Sequence, residues 1–302
     1  MKIIDLQTFE ELQFKTFKFP GGEINVKIEP PRIYAQLEIN SLPLNRTAKI
    51  VQQIKCSDDI MELLLATDIL KSFYYDRIVL ELPYIPYARQ DRPMVVGEAL
   101  SIKVFANLIN AQNYYKVIVL DPHSHVSSAL FNNVVALDNI AFVTKSFEYL
   151  NTLWTNRNYT LISPDAGALK KTEKCFEHLV NHNLIEDIAT VIGAKYRDVK
   201  TGKITKTTIN VTEIPSENIC VIIDDICDGG RTFIELAKVL KEHGASKVIL
   251  IVTHGIFSAG LKPLAEYIDM VISSDSYRTV QEEEYEGIID YACIPVVNKI
   301  LI

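Results

Sequence analysis

Apolar runs of four or five residues recur along this chain at 78–82, 117–120, 188–192, 219–223 and 248–252. Runs so short and so largely apolar suit strands buried on both faces, the condition of a parallel sheet covered by helices. Between them stand helical patterns: Ile102, Phe105, Ala106 and Ile109 repeat at helical spacing, as do Phe233, Leu236, Ala237 and Leu240. Gly244 is placed to end the second helix. Strand alternating with helix predicts βαβ units and an α/β fold whose mainly parallel sheets are flanked by helices. The alternation runs twice, which predicts two domains, 1–145 and 146–302, with the last residues packing back on the first. Segments 34–39 and 49–54 read as strands with no helix between them, so a mixed sheet is expected in the first domain.

Composition narrows the function classes. With 302 residues and 48% hydrophobic residues, each domain has enough apolar material for its own core. No apolar run approaches the roughly 18 residues of a membrane span, and the first residues do not read as a leader, so the expectation is a cytoplasmic protein with no membrane partner. The five cysteines are odd in number, scattered and without a CxxC pair, which argues against a disulfide framework or a zinc site. A net charge of −7 repels a nucleic-acid backbone, so no nucleic-acid partner is expected and any bound phosphate needs a local cradle.

Such a cradle is written into CVIIDDICDGGRTFIELAKVL at 220–240. A strand, two acids, a Gly-Gly turn and a helix start follow one another. Glycines let the backbone turn sharply and present its N–H groups, and the helix adds its positive end. A phosphate monoester fits against Asp228, Gly229, Gly230, Arg231 and Thr232, while Asp224 and Asp225, expected at the strand end, are placed for the two hydroxyls of a ribose held by that phosphate. A bare Asp-Gly-Gly is more often a plain turn with Thr232 as helix N-cap. The two acids at the strand end tip the balance toward a sugar phosphate.

This stretch resembles the PRPP loop of the phosphoribosyltransferase-like fold, where the usual ending is Asp-Thr-Gly-Gly-Thr. Here Gly229 replaces a hydroxyl residue and Arg231 a small one. Five further segments occur in the order found in ribose-phosphate pyrophosphokinases: PYARQDRP at 86–93, DPHSH at 121–125, SPDAGALKK at 163–171, GAKYRDVKTGKIT at 193–205 and THGIFS at 253–258, with FPGGE at 19–23 resembling the family's adenine segment. The resemblance implies two type I phosphoribosyltransferase-like domains and transfer of the β,γ-diphosphate of ATP to the C1 hydroxyl of ribose 5-phosphate.

It also implies roles. Lys195 and Arg197 match the family's catalytic pair on a hairpin flap. Arg89 and Gln90 match ATP contacts, as do Phe19, Gly21 and Glu23, the last three reaching a neighbouring subunit. Gly21 stands where the family carries Asn or Asp. His123 and Asp165 match residues associated with Mg2+; because oxygen suits that ion better than imidazole, His123 is expected to act through water or as a hydrogen-bond donor. Asp91 and Arg92 read as a local ion pair, and Ala168 takes the place of a glycine. The resemblance further implies a homo-oligomer built from dimers, with hexamers usual. Two other functions share the loop. A base-transferring phosphoribosyltransferase does not need the 86–93 segment together with the flap. A catalytically silent regulator or sugar-phosphate sensor would be expected to have lost Lys195, Arg197 or His123, and all three are present.

Overall fold

The computed structural model describes residues 1–29, 45–154, 158–186, 191–197, 204–209, 214 and 218–297; for 191–197 and 204–209 it describes the backbone alone. The chain divides into two compact units, one spanning Met1–Asp138 and the other beginning at Asn139.

The first unit contains β1 (Lys2–Asp5), β2 (Phe14–Lys18), β3 (Ile24–Ile28), β4 (Thr47–Val51), α1 (Ser57–Ser72), β5 (Arg77–Leu82), α2 (Ser101–Asn110), β6 (Lys116–Leu120), α3 (His125–Ala129) and β7 (Val134–Leu137). Among the described residues its main sheet has the order β1-β4-β5-β6-β7, while β2 and β3 form a separate hairpin. The sheet is mixed, because β1 runs antiparallel to β4 and the other neighbours are parallel. The mixed character therefore comes from β1; the expected strand at 34–39 lies outside the described residues. Apolar side chains on one face, Ala48, Ile50, Ile78, Leu80 and Val117, pack with Leu63, Ala66 and Leu70 of α1 and Ile102, Phe105 and Ile109 of α2.

The second unit contains α4 (Ile140–Leu153), β8 (Tyr159–Ser163), α5 (Leu169–Asn181), β9 (Val191–Arg197), β10 (Ile204–Ile209), β11 (Ile219–Cys227), α6 (Arg231–Glu242), β12 (Lys247–Gly255), β13 (Met270–Ser274) and β14 (Asp290–Ile294). Among the described residues the sheet order is β10-β9-β8-β11-β12-β13-β14. All neighbours are parallel except β9 and β10. The run expected at 188–192 is met by β9 from Val191 onward, its first residues lying outside the described set. Strand periodicity divides the core in two. Cys220, Ile222, Val248, Leu250 and Val252 pack under Phe233, Leu236 and Leu240 of α6, whereas Val221, Ile223, Ile249 and Ile251 face Phe147 and Leu150 of α4 and Leu179 of α5. Each fully buried side chain of this kind contributes about 1.5–3 kcal/mol. Helices on both faces leave the carboxyl edge of the parallel strands as the place where loops can gather around a ligand.

α6 ends as expected, with His243 as C-cap and Gly244 at a φ of +101°. All five cysteines are free thiols. No helix among the described residues is long and apolar enough to cross a membrane.

Candidate active site

In the second unit, β11 and β12 reach furthest beyond their neighbours. Their pairing continues to Cys227 opposite Gly255, whereas pairing of β11 with β8 stops at Ile222. Asp224 and Asp225 lie on this projecting stretch rather than at its end, because β12 carries β11 past them. Asp225 is buried and Asp224 half-buried, and the Asp224 carboxylate accepts the Asp225 N–H at 2.9 Å. Burial, and then the charge of Asp225, push the Asp224 carboxyl well above the usual carboxylate range, while the Lys171 ammonium on α5 pulls it down. Two acids held side by side at a strand edge favour a ligand that brings hydroxyl donors or positive charge.

The chain then turns through Asp228 and the exposed Gly229 into Gly230, which is buried at a φ of +75° and forms the N-cap of α6. Thr232 is consequently the second residue of the helix and not its cap. By helix geometry the amides of Arg231 and Thr232 lack intrahelical partners, while the Phe233 N–H already donates to the Gly230 carbonyl at 2.9 Å; no acidic residue sits in that turn, and Arg231 stands exposed at its start. This end of α6 is electropositive and open to an anion.

The loop is braced from behind by the 253–258 segment. The Cys227 carbonyl accepts the N–H groups of Ile256 at 2.9 Å and Phe257 at 3.1 Å. A Cβ at Gly255 would stand 2.2 Å from the Phe257 ring, so any side chain there would have to displace that buried ring. Buried His254 bonds through Nδ1 to the Ser276 hydroxyl at 2.8 Å, and that hydroxyl donates to the Thr253 carbonyl at 2.9 Å. Asp165 follows β8 and opens α5: its Oδ1 accepts the N–H groups of Gly167 at 3.0 Å and Ala168 at 3.1 Å. Ala168 has ordinary right-handed backbone angles, so a glycine is not required there. Lys195 and Arg197 are two apart on β9, which pairs antiparallel with β10, Lys195 opposite Thr207 and Arg197 opposite Ile204. Residues two apart on a strand share a face. Their side chains lie outside the described residues, as do residues 198–203.

In the first unit, Arg89, Gln90, Asp91, Arg92, Glu98 and His123 line a cavity of about 410 Å³. The turn that carries Arg89 and Gln90 is fixed at Ala88, whose carbonyl accepts the buried Ser127 hydroxyl of α3 at 3.2 Å. His123 stands two residues ahead of that helix, and Ser124 caps it by accepting the Ser127 N–H at 3.2 Å. One short helix therefore holds both halves of the cavity. Asp91 and Arg92, expected as a local ion pair, both line it. Phe19, Gly21 and Glu23 occupy the β2–β3 turn, closed by Phe19 N–H to the Glu23 carbonyl and Gly22 N–H to the Phe19 carbonyl, both 2.8 Å. Phe19 is 51% exposed at that tip.

Sequence reasoning singled out neither Lys171, Ser127 nor the pair His254 and Ser276. Lys171 acts on Asp224 only because β8 and β11 are neighbours, and no local spacing announces that.

The N-terminal domain of ribose phosphate pyrophosphokinase matches residues 1–112, and the phosphoribosyl transferase domain matches residues 137–286. The ribose-phosphate pyrophosphokinase of Mycoplasmopsis pulmonis is 32% identical over 252 residues, covering 81% of this chain and 74% of its own length. This chain belongs to the ribose-phosphate pyrophosphokinase family. A second ribose-phosphate pyrophosphokinase, from Ureaplasma parvum serovar 3, is 26% identical over 308 residues, covering 99% of this chain and 85% of the relative. The crystal structure of phosphoribosylpyrophosphate synthetase from Mycobacterium smegmatis superposes with a TM-score of 0.74 at 22% identity, covering 93% of this chain and 86% of that one, and so shares the two-unit α/β fold. Membership of the ribose-phosphate pyrophosphokinases accounts for the order of the segments quoted above, from 19–23 through 253–258.

Proposed function

We propose that this chain transfers the β,γ-diphosphate of ATP to the C1 hydroxyl of ribose 5-phosphate, giving PRPP and AMP. The observation that carries this reading is the Asp224–Asp225 pair set beside a Gly-Gly turn that enters the open N-terminus of α6. A pentose monophosphate satisfies both at once. Its 5-phosphate takes the amides from Gly229 to Thr232 with Arg231 alongside, and its hydroxyls donate to Asp224 and Asp225 with Asp228 close by in the loop. This orients the C1 hydroxyl oxygen for in-line attack on the β-phosphorus as the bond to the AMP oxygen breaks, a step in which positioning and charge compensation do most of the work. Lys195 and Arg197, on the β9–β10 hairpin, supply positive charge to the transferring group as it develops. Arg89 and Gln90 hold the nucleotide, the guanidinium gripping phosphate or stacking on the base.

Mg2+ fits this residue set as an ion carried largely by substrate. Among the described residues no three His, Cys, Asp or Glu side chains converge, and Mg2+ characteristically keeps waters and substrate phosphates as ligands. Asp165 would offer such an ion a carboxylate oxygen, and His123 would act through a water or as a hydrogen-bond donor. When bound, the ion neutralises charge on the nucleotide phosphates. The Phe19 tip, exposed on its hairpin, serves the adenine site of a neighbouring copy, with Gly21 and Glu23 beside it, in a homo-oligomer built from dimers. The free thiols suit a reducing cytoplasm.

The test is incubation of purified protein with ATP, ribose 5-phosphate and Mg2+, followed by nucleotide analysis. AMP that forms only with the sugar phosphate present is the expected result. ADP in its place, or no turnover across a range of phosphate concentrations, overturns the reading.

A further inference from the structure

We propose that Ser127 is a positioning residue for the nucleotide: its hydroxyl locks the turn that presents Arg89 and Gln90 to the turn that presents His123. The inference rests on the reading of the cavity of about 410 Å³ in the first unit as the ATP site. Ser127 itself is fully buried and acts from behind the wall of that cavity.

Both turns hold conformations that side chains disfavour. Tyr87, two residues before Arg89, has a φ of +63°, and Asp121, two before His123, a φ of +43°. Left-handed backbone at a residue other than glycine persists where the surroundings impose it, and such residues gather at functional sites. Rings back the same two turns: Tyr87 packs on Phe105 of α2, and Phe105 on Phe131 just beyond α3, each pair 6.0 Å between centroids. Apolar packing of this kind is non-directional and does not fix the angle at which two turns meet.

The directional link is the hydroxyl. Ser127 donates to the Ala88 carbonyl at 3.2 Å, a partner 39 residues away in sequence. A carbonyl only accepts, so the Ser124 hydroxyl supplies the proton in its 3.1 Å contact with the Ser127 oxygen. Donation therefore runs from Ser124, next to His123, through Ser127 to Ala88, next to Arg89. Removing the middle hydroxyl leaves both ends unpaired. The use is unlike that of other buried helix hydroxyls: Thr67, Ser146 and Thr172 each bond back to the carbonyl four residues earlier.

The experiment is steady-state kinetics with ATP and ribose 5-phosphate varied in turn, together with calorimetric titration of MgATP into the sugar-free full chain. Ser127→Ala should raise both the KM and the Kd for ATP about tenfold and leave the KM for ribose 5-phosphate within about twofold. Ser127→Cys, close in size and a weaker donor, should weaken ATP binding about threefold, and it carries the test if the alanine variant does not fold. The titration keeps this inference apart from the proposed reaction: if the parent binds ATP and makes no PRPP, the reaction is overturned and the Kd values alone decide the role of Ser127. An ATP Kd unchanged by the substitutions, an equal rise in the KM of both substrates, or failure of the parent chain to bind ATP overturns the proposal.

Discussion

Gly230 lies so close to Leu264 that a Cβ on the glycine would stand 2.7 Å from the leucine Cδ2. The backbone there is also left-handed, with a φ of +75°. Alanine at 230 therefore meets two costs, about 1–2 kcal/mol for the conformation and a further one for the contact. Gly230→Ala should raise the KM for ribose 5-phosphate about tenfold or more. Adding Leu264→Ala removes the contact but not the strain, so the double variant should recover part of the loss. Steady-state kinetics on both proteins checks this, and a double variant no better than the single one would show that Leu264 does not shape the loop.

Gly229 presents the opposite situation. A Cβ there would meet nothing within 4 Å, and its φ is not positive. Gly229→Thr should fold normally and add a hydroxyl donor to the phosphate cradle. One such hydrogen bond is worth about 0.5–1.5 kcal/mol, roughly two- to tenfold in KM for the sugar phosphate. An unchanged or raised KM would show that the hydroxyl does not reach the ligand.

Arg231 is exposed at the start of α6. Arg231→Gly should weaken apparent affinity for ribose 5-phosphate several-fold, the effect of an exposed charge worth about 1 kcal/mol. The loss should shrink as salt is raised. Kinetics identical to the parent at low salt would remove this residue from the site.

Lys195→Ala should lower kcat by about 100-fold or more with a much smaller change in KM, since its charge is needed chiefly as the diphosphate departs from AMP. Single-turnover measurement separates the two. Near-normal kcat would take Lys195 out of the catalytic role.

Asp224 carries a pH signature. Its carboxyl pKa is raised in the folded chain, so the native state retains a proton that the unfolded chain gives up. Stability is therefore lost as pH rises from the ordinary carboxylate value of about 4 toward the raised one, and nothing is lost below it. Asp224→Asn should raise the Tm of the substrate-free protein near pH 7 and not near pH 4, while weakening ribose 5-phosphate binding about tenfold or more through loss of a charged acceptor. A Tm gain of equal size at both pH values would place its origin elsewhere than the carboxyl.

The route from β11 through the Gly-Gly turn to α6 was legible because each of its signals is local: an apolar run, adjacent acids, glycines, and a helical repeat from Phe233 to Leu240. β13 and β14 gave no comparable run, since MVISS and DYACI mix polar and apolar residues and depend on their neighbours for burial. The antiparallel β1 was equally silent, being four residues long with a lysine at its start. A plain turn with Thr232 as cap was the competing reading of Asp-Gly-Gly; the left-handed Gly230 takes the cap position instead. The pairing of Ser127 with Ala88, and of Lys171 with Asp224, depends on which elements become neighbours, and no repeat along the chain encodes that.

The hold that Ile256 and Phe257 exert on the Cys227 carbonyl reaches across nearly the whole of α6 and β12. Closing so long a connection costs entropy before any bond rewards it, which puts the final shape of the turn late in folding. A fragment of the chain that stopped short of residue 247 would carry every letter of the sugar-phosphate motif and still lack its form.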